Sequence, residues 1–160
     1  MKRLFLLYAL LFGLFVTNGT IAAKDFQTFT EISGEELSSS YSGNLTRVYM
    51  NSEKNPVSDK TSNVTQNASG TINISMDAFQ IGSMPGTIAI TANNIAVNAD
   101  GTFSQTCNRC VTLRILGIPT RYTAFVEGTI KDGNLTYTIT VNSEYSNAPF
   151  TAIVTFEGTK

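Results

Sequence analysis

From residue 41 onward apolar side chains recur at every second position, and that period of two constrains the fold more than any other feature of the chain. Tyr41, Leu45 and Tyr49 share one face of a strand, Ile72, Ile74 and Met76 another, and Ile88 and Ile90 a third. The pattern continues through Tyr122, Ala124, Val126 and Ile130, then Leu135, Tyr137, Ile139 and Val141, then Phe150, Ala152, Val154 and Phe156. The positions between are polar, as in Thr136, Thr138, Thr140 and Asn142. A strand with one dry and one wet face belongs to an antiparallel sheet laid over a core.

Turn residues punctuate these runs. Asp132-Gly133 and Asp100-Gly101 have the composition of tight hairpin turns. Pro85 and Pro119 break two further runs, since proline cannot donate to a ladder. Strands are predicted near 41–50, 62–66, 69–77, 86–97, 101–107, 110–116, 120–131, 134–143 and 149–158, eight or nine in all. With no segment suited to a crossover helix, the fold class is all-β, an antiparallel up-and-down barrel of about eight strands, with a sandwich as the alternative. Closure removes exposed edges. An outer-membrane barrel shares the period with its faces reversed, and the absence of tryptophan and of aromatic girdles argues for a soluble barrel instead.

The amino terminus is of another kind. Met1-Lys2-Arg3 precedes an apolar run from Leu4 to Val16, and small or polar residues follow to Ala23. This order reads as a secretory signal peptide over residues 1–23, too short to span a bilayer, and places the protein in the periplasm, the envelope or outside the cell. Residues 24–40 form a lead-in in which Ser38-Ser39-Ser40 resembles a flexible joint, and residues 41–160 form the barrel domain.

Composition limits the chemistry. The chain has no histidine, which excludes Ser-His-Asp and Cys-His catalysis and histidine-ligated metals. A net charge of −1 with no basic cluster argues against nucleic acid as a partner. Asp77, Glu127 and Glu157 fall on outward positions of their strands, so no carboxylate pair is set up for glycoside hydrolysis. No catalytic residue, cofactor or metal site is therefore assigned. A structural zinc needs four ligands, and only Cys107 and Cys110 are on offer. Their CxxC spacing invites a redox reading, but their flanks are strand-like, so a two-residue turn at Asn108-Arg109 would place the cysteines opposite one another across a hairpin, within reach of a disulfide. A structural disulfide, or simply two unpaired thiols, is expected over redox catalysis.

Several short motifs, in order, carry a family likeness: Tyr41-Ser42-Gly43-Asn44-Leu45-Thr46, Gly86-Thr87-Ile88-Ala89-Ile90, Asp132-Gly133-Asn134-Leu135 and Val154-Thr155-Phe156-Glu157-Gly158. The chain from Tyr41 to Gly158 resembles the calycin-like (lipocalin-like) β-barrel family of secreted Bacteroides-type proteins. The resemblance implies an up-and-down barrel and an envelope or extracellular location, and it carries no catalytic residues. Two features depart from the pattern. Arg47 shares the face of Leu45 and Tyr49 and so would point inward or snorkel to the rim, and Cys107 and Cys110 are not expected.

Small barrels of this size either fill with side chains or hold one small molecule. The expected function is a non-enzymatic binding module for a small apolar or amphipathic ligand, with Arg47, Tyr49, Tyr122 and Tyr137 as its polar anchors. The alternative is a solid scaffold acting through its loops, of which 51–61 is the longest polar one. The sequence names no protein partner.

Overall fold

The computed structural model describes residues 37–160. The signal peptide expected over residues 1–23 and most of the expected lead-in lie outside the described residues. Nine strands follow one another: β1 (Leu37–Met50), β2 (Glu53–Lys54), β3 (Val57–Gln66), β4 (Thr71–Phe79), β5 (Gly86–Ala96), β6 (Thr102–Ile115), β7 (Ile118–Lys131), β8 (Asn134–Tyr145) and β9 (Ala148–Thr159). Each pairs antiparallel with the next along the chain from β3 to β9, and β1 pairs with both β3 and β9, which closes the barrel. The short β2 lies against β1 above β3, so the two share one position in the wall and the barrel has eight staves.

The alternation in the sequence is the alternation of the wall. Along β8, Leu135, Tyr137, Ile139 and Val141 are buried inside. On the outer side of the same wall the Thr138 and Thr155 hydroxyls pair at 2.9 Å across β8 and β9. Tyr137, Phe103, Phe156 and Leu45 are the largest fully buried side chains. Burying one such side chain stabilises the fold by about 1.5–3 kcal/mol, so the core is the main source of stability. With its apolar face inside and threonine, serine and asparagine outside, the barrel is the inverse of one that spans a membrane.

The strands leave two ends. The lower end holds the β3–β4, β5–β6 and β7–β8 turns, which are built from ordinary turn residues and braced to one another. Asp132 and Gly133 both take positive φ, 51° and 75°, as a type I′ turn requires. Gly101 O accepts from Ile130 N, and Gly133 O accepts from Lys160 N, each at 2.9 Å.

The upper end holds the β1–β2, β4–β5, β6–β7 and β8–β9 connections. Here the β7–β8 ladder stops at Phe125/Thr140, although β6–β7 pairing runs on to Ile115/Ile118 and β8–β9 pairing to Tyr145/Ala148. The two hairpins therefore project past their shared seam without pairing to one another. A second gap lies lower, where β5–β6 pairing ends at Ile90/Val111. The Gln105 side chain spans it, accepting from Ala96 N and donating to Asn94 O, each at 3.2 Å.

The structure corrects several boundaries. Ser38–Ser40 are not a joint: they pair with Asn63–Thr65 in β3, and β1 begins at Leu37. The 51–61 loop is mostly strand, interrupted at Asn55-Pro56. The segments 101–107 and 110–116 are one strand, β6. No turn forms at Asn108-Arg109, because Val111–Ile115 go on pairing with β7.

Candidate functional site

The centre of the barrel is filled. Tyr137 is fully buried, its ring 5.3 Å from that of Phe156, and its hydroxyl lies 3.2 Å from Ser62 Oγ. Ser62 is the one buried polar residue of the described core. Burial, offset in small part by Ser62, pushes the Tyr137 phenol far above its usual range, so it stays neutral. Tyr137, expected as a ligand anchor, is instead engaged inside the core.

Arg47 is not inside. The β1–β9 register shifts between Leu45 and Arg47, so that Leu45 and Val48, three residues apart, both face inward opposite Phe156 and Val154. Thr46 is the extra residue of this bulge, and its hydroxyl donates to Glu157 Oε1 at 2.9 Å. The bulge turns Arg47 out to solvent, where Nη2 lies 3.5 Å from Glu53 Oε1. Tyr49 falls on the outer side as well, half-buried between the inward Val48 and the partly buried Met50.

Tyr122 is the anchor candidate that remains. It faces inward on β7 near the upper end, 4 % exposed, with its ring 5.3 Å from Phe150 of β9. Its hydroxyl is the one buried side-chain polar atom among the described residues that has no hydrogen-bond partner. Burial first, and Tyr145 second, raise its pKa above the ordinary tyrosine value, so it too is a neutral donor. Around the upper end Met50, Met84, Ile115 and Phe150 are only partly buried. The inward-facing row of the β6–β7 hairpin runs from buried Leu113 through Ile115 to Ile118, which is 71 % exposed. The apolar lining thus continues beyond the closed wall into the gap between the splayed hairpins. The sequence carried a sign of this in Ile115-Leu116-Gly117-Ile118, an apolar turn where polar residues are the rule.

The cysteines are two free thiols, both buried, and the expected cross-hairpin disulfide is not formed. Between Cys107↔Ala124 and Val111↔Tyr122 strand β6 carries two more residues than β7, and Arg109 takes φ 56° within this bulge. Both cysteines are thereby drawn inside on one strand rather than set opposite each other on two. Cys110 Sγ donates to Cys107 O at 3.1 Å. Burial, then the Cys107 side chain beside it, push the Cys110 thiol up to about 12. A redox nucleophile needs the opposite shift.

The outer wall carries two shallow hollows. One, of ≈ 390 Å³, includes Asn44, Thr46, Asn134, Thr136 and Glu157, and another, of ≈ 340 Å³, includes Asn93, Asn94, Gln105, Thr106 and Asn108. Both are polar and neither holds an orphaned buried group, so the Tyr122 end is the stronger candidate despite their size. Asp77, Glu127 and Glu157 are exposed on the outside. No three His, Cys, Asp or Glu side chains among the described residues are grouped to hold a metal.

Residues 37–159 match the family model described as a Calycin-like beta-barrel domain. No curated protein and no solved structure matches the chain.

Proposed function

The chain belongs to the calycin-like β-barrel domain family, and on that premise we propose that it is an exported, non-enzymatic binding module whose small apolar or amphipathic ligand seats at the upper end of the barrel. The observation that carries this reading is the unpartnered Tyr122 hydroxyl at the inner edge of an apolar mouth. A buried hydroxyl left unpaired costs about 1–3 kcal/mol. A ligand with a carbonyl, carboxylate or hydroxyl oxygen placed on Tyr122 recovers that cost, while its apolar part covers Phe150, Met50, Met84 and Ile115. The mouth, not the middle, is the seat, because Tyr137, Phe156 and Ser62 already occupy the middle.

Native mass spectrometry and thermal melting with a panel of fatty acids, sterols and pigments test the reading. The expected result is one bound molecule and a raised melting temperature, with affinity reduced roughly tenfold in Tyr122→Phe through loss of one hydrogen bond. Absence of both bound mass and melting shift across the panel overturns it. The filled centre favours the second reading, a solid scaffold that works through its surface, and that null result would leave the scaffold standing.

A further inference from the structure

We propose that the tip of the β6–β7 hairpin docks the barrel onto an anionic lipid surface. The inference goes beyond the ligand reading and stands on the apex and outer face of the hairpin, sharing with the mouth only Ile118 at the top of the inward-facing row.

The apex is Leu116, 88 % exposed, with Ile118 beside it at 71 %. No other large apolar side chains of the described chain are as exposed. Leu116 and Gly117 form a type I′ turn with φ of 48° and 82°. The first position of such a turn favours asparagine, aspartate or glycine, and leucine carries a steric cost there. An exposed, conformationally disfavoured leucine does nothing for the folded monomer. What it supplies is an apolar side chain at the most protruding point of the hairpin.

Charge completes the pattern. Between Asp100 and Glu127 the chain has no acid and three arginines, Arg109, Arg114 and Arg121, in a protein of net charge −1. Their spacing in the sequence is irregular and forms no stripe. Pairing of Thr112 with Arg121 and of Arg114 with Pro119 places Arg114 and Arg121 diagonally on the outer face, with Cα atoms about 7–8 Å apart. All three are exposed, and among the described residues the one ion pair is Arg47–Glu53, so none of the three is neutralised. Arg114 Nη1 donates to Gly117 O at 3.3 Å, which folds its guanidinium back onto the tip and leaves its other donors free. Glu144 is the nearest acid in register terms, on the neighbouring β8–β9 hairpin.

Dimensions agree with a bilayer. Arg114 lies two residues below the apex and Arg121 opposite Thr112, four below, or about 7 and 14 Å along the strand. An interfacial apolar element enters about 5–10 Å into the headgroup region. With Leu116 and Ile118 inserted to that depth, Arg114 lies level with the phosphates and Arg121 within about one Debye length of them. A specific protein interface needs about 800 Å² on each side, far more than two side chains at a narrow tip provide, whereas lipid conforms around a protrusion.

Co-sedimentation with vesicles tests the proposal, comparing variants in the same full chain so that any contribution from the apolar leader is common to all. The protein should bind vesicles of phosphatidylcholine doped with phosphatidylglycerol more tightly than phosphatidylcholine alone, and lose the difference at high salt. Leu116→Asn with Ile118→Thr should abolish the excess binding. The turn accommodates asparagine better than leucine, so an undiminished melting temperature would show that the loss is not misfolding. Arg114→Gln and Arg121→Gln should each weaken binding about fivefold on the anionic vesicles alone. Because the chain has no tryptophan, Leu116→Trp supplies a single reporter whose emission should shift to the blue on those vesicles. Equal binding to both vesicle types, or excess binding that survives the tip variants, overturns the proposal. Tyr122→Phe should leave vesicle binding unchanged, so the ligand reading and this one fail separately.

Discussion

The Ser62 and Tyr137 hydroxyls lie 3.2 Å apart at the centre of the barrel, one from β3 and the other from β8 on the opposite wall. Each supplies most of the other's polar satisfaction, since the further contact of Ser62 Oγ, to Ser75 O, is long at 3.5 Å. Ser62→Ala should strand the phenol in the core and cost about 1–3 kcal/mol. Adding Tyr137→Phe should return part of that loss, because no orphan then remains. Urea unfolding of the two single variants and the double gives the coupling energy directly, and strict additivity would mean the pair is not coupled.

Gly128 shows how tightly the wall is built around the core. A Cβ there would collide with the carbonyl oxygen of Thr136 and with the ring of Phe103, which is almost fully buried. Neither can yield without shifting the β7–β8 ladder or the largest side chains of the core. Gly128→Ala is therefore expected to destabilise by roughly 1–3 kcal/mol, as overpacking does, despite adding only a methyl group. An unchanged melting temperature would show that the wall can move there.

Alkaline pH should unfold the protein through its buried weak acids. Cys110, raised to about 12, and Tyr41, Tyr122 and Tyr137, all raised chiefly by burial, are neutral in the folded state and ionise more readily once exposed. Because their folded pKa values lie above the unfolded ones, the stability they contribute is complete below about pH 8.5 and is lost progressively as pH rises toward their folded values. The urea midpoint should be level from neutrality to that point and then fall. Cys110→Ala should delay the first part of the fall. In parallel, neither thiol should react with a maleimide at pH 8 until denaturant is added, and rapid labelling of the folded protein would contradict the burial.

What could be read in the sequence was whatever one residue per step preserves. β7, β8 and β9 alternate without interruption, so their period alone puts Tyr122, Ala124, Val126, Tyr137 and Phe156 inside, where the structure has them, and the chemistry of Asp132-Gly133 marks the turn it forms. Bulges defeat that arithmetic. At Thr46 one inserted residue reverses the facing of every later residue on β1, so the period of two puts Arg47 and Tyr49 on the inner face while the structure has them on the outer one. In β6 the two extra residues between Cys107 and Val111 imitate a turn, and one strand looked like two. The mouth was hidden for a different reason. The aromatic residues were evident, but the end of the β7–β8 ladder at Phe125/Thr140 is set by how two hairpins diverge, and no local pattern encodes it.

The bulge at Thr46 yields the sharpest contrast between neighbouring positions. Arg47 is solvent-exposed, and its pair with Glu53 is long and screened, so Arg47→Ala should change stability by less than about 0.5 kcal/mol. Val48, the next residue, is fully buried opposite Val154, and Val48→Ala should cost about 1–3 kcal/mol for lost burial and the cavity left behind. Deleting Thr46 should cost less than Val48→Ala, because it removes the extra residue of the bulge. Strict alternation from Leu45 onward then keeps Val48 inside and Arg47 and Tyr49 outside, with Leu45 still opposite Phe156 and Val48 opposite Val154. What is lost is the Thr46–Glu157 hydrogen bond, about 0.5–1.5 kcal/mol. Inserting a second residue after Thr46 should be far more damaging if the bulge stays and the ladder absorbs the addition by alternation, since Arg47 and Tyr49 would then turn into the core and Val48 out of it. Urea unfolding of the deletion and the insertion checks the pair: a deletion as costly as Val48→Ala would mean that the bulge is needed for closure and does more than set which side chains face inward.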